Sequence, residues 1–181
     1  MGNVLVSTSL LGTDGNPLPS LIDQQIEAVK SIITQYVDGA GQVIKGIRPP
    51  GDESFPVPCV QVQALDIRPK MYATGKYRTN TKIWIVYYTA DDNPEACDQK
   101  ASDLAIIFRK LFSQNALNDI TGAASQKFKQ YAAPPANQSG WVNSEMTDIK
   151  KGPLMKWAID PGPKYVCVSS FELQILTTEV I

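Results

Sequence analysis

Three cysteines, Cys59, Cys97 and Cys167, are the chain's softest nucleophiles, and no histidine stands anywhere to activate them. They are odd in number, far apart and without a CxxC pair, so a tetrahedral zinc set has no ligands and the commonest nucleophile–histidine triads have no base. Reduced, mostly buried thiols in a cytosolically made protein are the expectation. The acid pairs Asp91-Asp92 and Asp52-Glu53 lack the spaced third and fourth oxygen ligands of a cation loop, which makes them solvated turn acids. Gly39-Ala40-Gly41 follows a helical stretch instead of opening one, so it reads as a helix stop and not as a phosphate cradle. No residue is therefore assigned a catalytic, metal-ligating or cofactor-binding role, and a non-enzyme without cofactors is expected.

Two groups of side chains remain that act by contact. Arg68, Lys70, Lys76, Arg78 and Lys82 are interleaved with Tyr72, Tyr77 and Trp84, a mixture that on paper suits phosphate and base contact. Alternation along a strand sets Arg78, Asn80 and Lys82 opposite Tyr77, Thr79 and Thr81, so a plain polar sheet face or protein interface is the weightier alternative to DNA contact. Trp84, Tyr88, Phe128, Tyr131 and Trp141 are the candidate subunit or partner anchors, since aromatic residues concentrate at interfaces. Lys127, Lys129, Lys150, Lys151 and Lys156 lie around the last three of them.

The elements that must carry these residues are legible in part. Ser20 as N-cap and the apolar spacing of Leu21, Ile22, Ile26, Val29, Ile32, Ile33, Tyr36 and Val37 predict an amphipathic helix over Ser20 to Val37. A proline-rich connection, Ile47 to Pro58, leads to an alternating strand over Cys59 to Asp66, which Arg68-Pro69-Lys70 should break. Tyr77 to Thr89 predicts a strand whose inner half, Ile83 to Tyr88, is apolar on both faces, covered from two sides or by a neighbouring subunit. Asn93 as N-cap, Pro94 at the first helical position and Glu95 in the first turn open a second helix running to about Phe112. After Ser113 the pattern dissolves for some forty residues. A short strand is expected at Leu154 to Ile159, and a long alternating strand at Lys164 to Val180.

At 181 residues the chain suits one domain, with 43% hydrophobic and 19% charged residues. The expected class is α+β: a mainly antiparallel sheet packed with two main helices. Residues 1–19 read as an N-terminal arm, with turn-formers from Gly12 to Pro19, and residues 20–181 as a single domain with an insert at about 113–153. Lys+Arg 17 against Asp+Glu 18 gives a net charge of −1, which argues against a protein whose main work is gripping phosphate backbones. No stretch approaches the roughly 18 to 20 uninterrupted apolar residues of a membrane span, and no signal peptide is read.

The order of elements resembles the tail terminator (tail completion, head-to-tail joining) proteins of long-tailed bacteriophages. The resemblance lies in the first helix, Ser20 to Val37, and in the PxP-led strand Pro56 to Asp66. It continues in the hairpin strand Gly75 to Thr89 with its IWIVYYT run, the Asn93-Pro94 capped helix and the final strand. It implies a virion structural protein assembled in the host cytoplasm as a ring of typically six copies. Such a ring caps the tail tube, ends its growth and meets a neck or connector protein, with DNA passing through the lumen without sequence-specific contact. The arm before Ser20 and the insert Gln114 to Gly152 exceed the small members of that family, and contacts to sheath, tube or neck are expected there. Two alternatives stay open: another neck component, such as a stopper or connector subunit, and a small carboxylate-dependent enzyme.

Overall fold

The computed structural model describes residues 21–46, 56–74, 76–112, 139–159 and 162–180. The arm, the turn-formers up to Pro19 and the candidate anchors Phe128 and Tyr131 lie outside them. Among the described residues two helices and six strands follow in chain order: α1 (Leu21–Tyr36), β1 (Gln42–Lys45), β2 (Cys59–Ala73), β3 (Lys76–Asp91), α2 (Pro94–Phe112), β4 (Ser139–Met146), β5 (Lys150–Trp157) and β6 (Lys164–Val180). The α+β expectation holds, with β1 parallel to β2 and every other pairing antiparallel.

The sheet order is β1-β2-β3-β6-β4, and β5 also pairs with β6. β4 lies along the C-terminal half of β6, from Ser139↔Glu179 to Met146↔Leu173, and β5 along its N-terminal half, from Lys150↔Ser170 to Trp157↔Lys164. Together they form one interrupted edge. The break is held by Thr147, whose backbone N–H donates to the Glu172 carbonyl at 2.9 Å and whose hydroxyl accepts from the Glu172 N–H at 2.9 Å. Thus the expected insert holds regular structure near its end, which composition hides because Ser139 to Met146 carries too few apolar residues to announce a strand.

Each helix is fixed by local chemistry and then by one apolar face. Asn93 Oδ1 accepts from the Glu95 and Ala96 N–H groups at 2.8 and 3.3 Å, satisfying two of the orphan donors of α2. Buried Leu104, Phe108 and Phe112 then meet Tyr87 and Phe171, with ring centroids 5.0 to 6.3 Å apart. Burying such side chains contributes about 1.5–3 kcal/mol each. α1 lays Ile26, Val29, Ile32 and Ile33 on the same side of the sheet, against the cluster that includes Val60, Val62, Ile83, Ile85, Leu173 and Ile175. It stops at two glycines of positive φ, Gly39 at 78° and Gly41 at 66°. Gly41 has a second reason to be glycine: a Cβ there would stand 1.9 Å from the Pro58 carbonyl oxygen.

Both helices therefore share one face of the sheet. On the other face a smaller cluster buries Cys59, Val86, Tyr88 and Val166 beside Ile44, Val57, Trp84, Trp157 and Ile159. The two-sided apolar run Ile83 to Tyr88 is thus covered within the chain itself. One expectation is corrected: β2 does not break at Arg68-Pro69-Lys70 but continues to Ala73, with Pro69 opposite Thr79. Beyond Val62 no strand among the described residues pairs with the outer side of β2, and an edge strand tolerates the missing N–H of proline.

Candidate assembly and anion-contact surface

β2, β3 and β6 are 15, 16 and 17 residues long, which at roughly 3.3 Å per residue makes a ribbon about 50 Å from end to end. β3 stays in register with β6 over its whole length, from Lys76↔Val180 to Asp91↔Tyr165. The end of this ribbon farthest from the α2 N-terminus, built from Asp66–Ala73, Lys76–Lys82 and the last residues of β6, forms an arm. It carries the basic residues singled out above.

A β-bulge decides how they are displayed. Val60, Val62 and Ala64 point toward the helices, and unbroken alternation would send Asp66, Arg68 and Lys70 the same way. The register instead steps from Ala64↔Ile83 to Asp66↔Lys82, leaving Leu65 as the extra residue. That step flips the parity of the strand, so Arg68 comes opposite Asn80 and Lys70 opposite Arg78, on the face away from the helices. Lys76, two residues before Arg78, holds a register position of the same parity, opposite Ala73. All five basic positions thus fall on one face, while Ile67 pairs with Thr81 and Met71 with Tyr77 on the other.

Two acids pair with this face among the described side chains, and Glu145 holds a register position on it, opposite Gln174, which lies opposite Lys82. Arg68 Nε is 2.6 Å from Asp66 Oδ2 and Lys82 Nζ 3.8 Å from Glu172 Oε2. With the Arg68 side chain 76% exposed, such a pair is worth little in water. Lys70 and Arg78 are exposed. Close to the same ribbon, Leu65, Ile67 and Met71 are exposed apolar residues at 47%, 41% and 60%.

The aromatic candidates divide differently. Tyr88 is buried by its own chain, its ring 6.0 Å from that of Trp157, and so presents no anchor at the surface. Trp84 is half-buried in the same second-face cluster. Trp141 sits in β4 opposite Thr177, just before the register step that precedes Asn143. The bulge-made grouping was not legible from spacing, since no residue type marks Leu65 as the inserted one.

At the opposite end of β3 the charges pair. Asp91 accepts from Lys100 Nζ at 2.6 Å and from the Asn93 N–H at 2.9 Å, and these bonds hold its carboxyl below the usual carboxylate range. Lys151 bridges to Asp98 at 2.6 Å and donates to Ser102 at 3.1 Å, tying β5 to α2. The three thiols are free and buried, and burial pushes that of Cys59 up to about 12. Cys97 donates to the Tyr165 carbonyl at 3.2 Å and Cys167 to the Gly152 carbonyl at 3.5 Å, so both work as packed weak donors. Among the described residues no three of the side chains that bind metals come together, and no helix is long and apolar enough to cross a membrane.

Among solved structures, the chain is similar to a chain from the virion of a native gene transfer agent (GTA) particle. The two share 13% identity over 86% of this chain and 91% of that one, with a TM-score of 0.37. It is also similar to a protein known only by a serial designation, at 12% identity over 82% of this chain and 94% of that one, with a TM-score of 0.32. No protein-family model matches the sequence, and no curated protein matches it.

Proposed function

We propose that the chain is a virion structural protein, a ring-forming tail terminator that caps the tail tube, stops its growth and joins the tail to the neck. The observation that carries this reading is the ribbon: three long strands kept in register to a tip, with both helices on one face and apolar Leu65, Ile67 and Met71 exposed along it. A monomer gains nothing from an edge strand that, among the described residues, has no outer partner from Gln63 to Ala73 and bears such side chains, whereas a neighbouring subunit would cover them. Ring contacts of the head-to-tail kind close when the rotation between copies closes, and six copies is the number the family resemblance implies. The tail tube, the neck or connector protein and the sheath are the partners in this reading, with the residue 1–19 arm and the insert at about 113–153 as their contact regions. DNA threads the ring without sequence-specific contact, and assembly takes place in the host cytoplasm.

Particles assembled without this protein distinguish its place in the neck. Overlong tail tubes in negative-stain micrographs support a terminator; tubes of normal length on heads that leak their DNA would make it a stopper instead. The enzyme alternative predicts a deep pocket with paired acids of shifted pKa. The shift resolved for Asp91 comes from Lys100 and backbone N–H groups and not from a second acid.

A further inference from the structure

We infer that residues 4–11 of one copy add as a strand to the outer edge of β2 in the neighbouring copy, along residues 63–73. The inference rests on the ring reading and deepens it, giving the apolar part of the amino-terminal arm a second copy of this chain as its partner. Its first support is the place where the outer ladder of β2 stops. β1 pairs with β2 only from Gln42↔Cys59 to Lys45↔Val62, and the Gly46 N–H then donates to the Val62 carbonyl at 2.8 Å. Beyond that bond no described residue pairs with this side of β2, so its outward backbone groups are open to an extended segment. Pro69 has no N–H, and a partner strand forgoes at most one bond there.

The second support is a match of faces. On this edge Ile67 and Met71 lie on the helix side, exposed at 41% and 60%, and Arg68 and Lys70 on the other. Residues 4–11 read VLVSTSLL and divide the same way: Val4, Val6, Thr8 and Leu10 on one side, Ser7 and Ser9 between Leu5 and Leu11 on the other. The first set covers Ile67 and Met71, while the serines come to the side of Arg68 and Lys70. The segment carries no charged side chain, and β-branched Val4, Val6 and Thr8 favour an extended backbone. At roughly 3.3 Å per residue it reaches about 26 Å, less than the length of residues 63–73.

The third support is the point from which the segment departs. Lys45, the last residue of β1, pairs with Asp23 in the first turn of α1. The entry to α1 is therefore close to where the outer edge of β2 becomes free. Asn16-Pro17-Leu18-Pro19-Ser20 leads into that entry, and its two prolines favour an extended spacer over a tight return. Such a spacer carries residues 4–11 past their own β2 to that of the next copy. A strand handed from each copy to the next is a head-to-tail contact, the kind that closes a ring.

The test is sedimentation of the full chain at micromolar concentration beside a chain lacking residues 1–11. The parent should form the ring-sized species, and the shortened chain should run as a monomer that retains its far-ultraviolet circular dichroism. Val6→Pro/Thr8→Pro, which keeps the length and removes two ladder donors, should do the same, and Ser7→Ala/Ser9→Ala should assemble as the parent does. Val6→Cys, Thr8→Cys or Leu10→Cys in one batch and Ile67→Cys or Met71→Cys in another, mixed before assembly, should give disulfides between copies. The three native thiols are buried and do not compete. Assembly of the shortened chain as in the parent overturns the inference. So do disulfides that form only when both cysteines share one chain, or in no pairing. Rings formed without residues 1–11 contradict this inference alone; association that needs the segment yet leaves tail tubes uncapped contradicts only the terminator reading.

Discussion

The hydroxyl of Tyr87 donates to the carbonyl of Ala101 across 3.3 Å, joining the centre of β3 to the middle of α2. Tyr87 is fully buried and its ring lies 5.0 Å from that of Phe108, so one side chain supplies both apolar contact and a polar tether. Tyr87→Phe keeps the ring and deletes the tether. Because Ala101 keeps its helical hydrogen bond, the loss should be about 0.5–1.5 kcal/mol, a fall in Tm of a few degrees by calorimetry.

Gln25 lies fully buried on α1, and its side-chain amide oxygen and nitrogen find no hydrogen-bond partner among the described residues. The Thr81 hydroxyl on the helix side of β3 likewise has none among them. An unmade buried hydrogen bond costs about 1–3 kcal/mol, so Gln25→Met, similar in length and without polar donors, should raise stability by about that amount in a denaturant titration. An unchanged or lowered midpoint would mean that the amide is satisfied in solution, by water or by another part of the chain.

How much of this was readable in advance follows the range of each interaction. The caps of α2 were legible because Asn93, Pro94 and Glu95 act within one turn. The two-sided burial of Ile83 to Tyr88 was legible because both faces of β3 are apolar. β1 escaped notice, since four residues of mild apolar character become a strand only by pairing in parallel with Cys59–Val62 far along the chain. Pro69 predicts a break in β2 because proline removes a ladder donor, and nothing local says that this side of the strand has no ladder to lose. The grouping of Arg68 and Lys70 with Arg78 and Lys82 depends on the bulge at Leu65, a matter of register between two strands. The five basic residues were legible as residues, their common face only as a structure.

Asp91 sets a pH dependence with a definite sign. Its folded-state pKa is depressed by the Lys100 hydrogen bond and by the Asn93 N–H, so the arrangement stabilises the fold above the ordinary carboxylate range. That contribution fades as pH falls through the depressed folded value. Asp91→Asn should therefore melt below the parent at pH 7, and the gap should narrow and close in strongly acid buffer. Melts from pH 7 to pH 2 read both parts.

The thiols should be silent in the native state. Cys59, Cys97 and Cys167 are all fully buried, and with the Cys59 thiol pushed up to about 12 its thiolate is scarce at neutral pH. A disulfide-exchange reagent at pH 8 should label none of them until denaturant is added, and three thereafter. Rapid labelling of the folded protein would reveal an opening motion at the second-face cluster or at the α2–β6 contact.

The central claim is that this chain closes into a ring on the end of a tube. Sedimentation of the purified protein at micromolar concentration, followed by negative-stain imaging after addition of tail tubes, tests it most directly. The account predicts a ring-sized species, either free or formed on the tubes, seated at one tube end and blocking further growth. A protein that sediments only as a monomer and leaves the tubes uncapped and still elongating would contradict it.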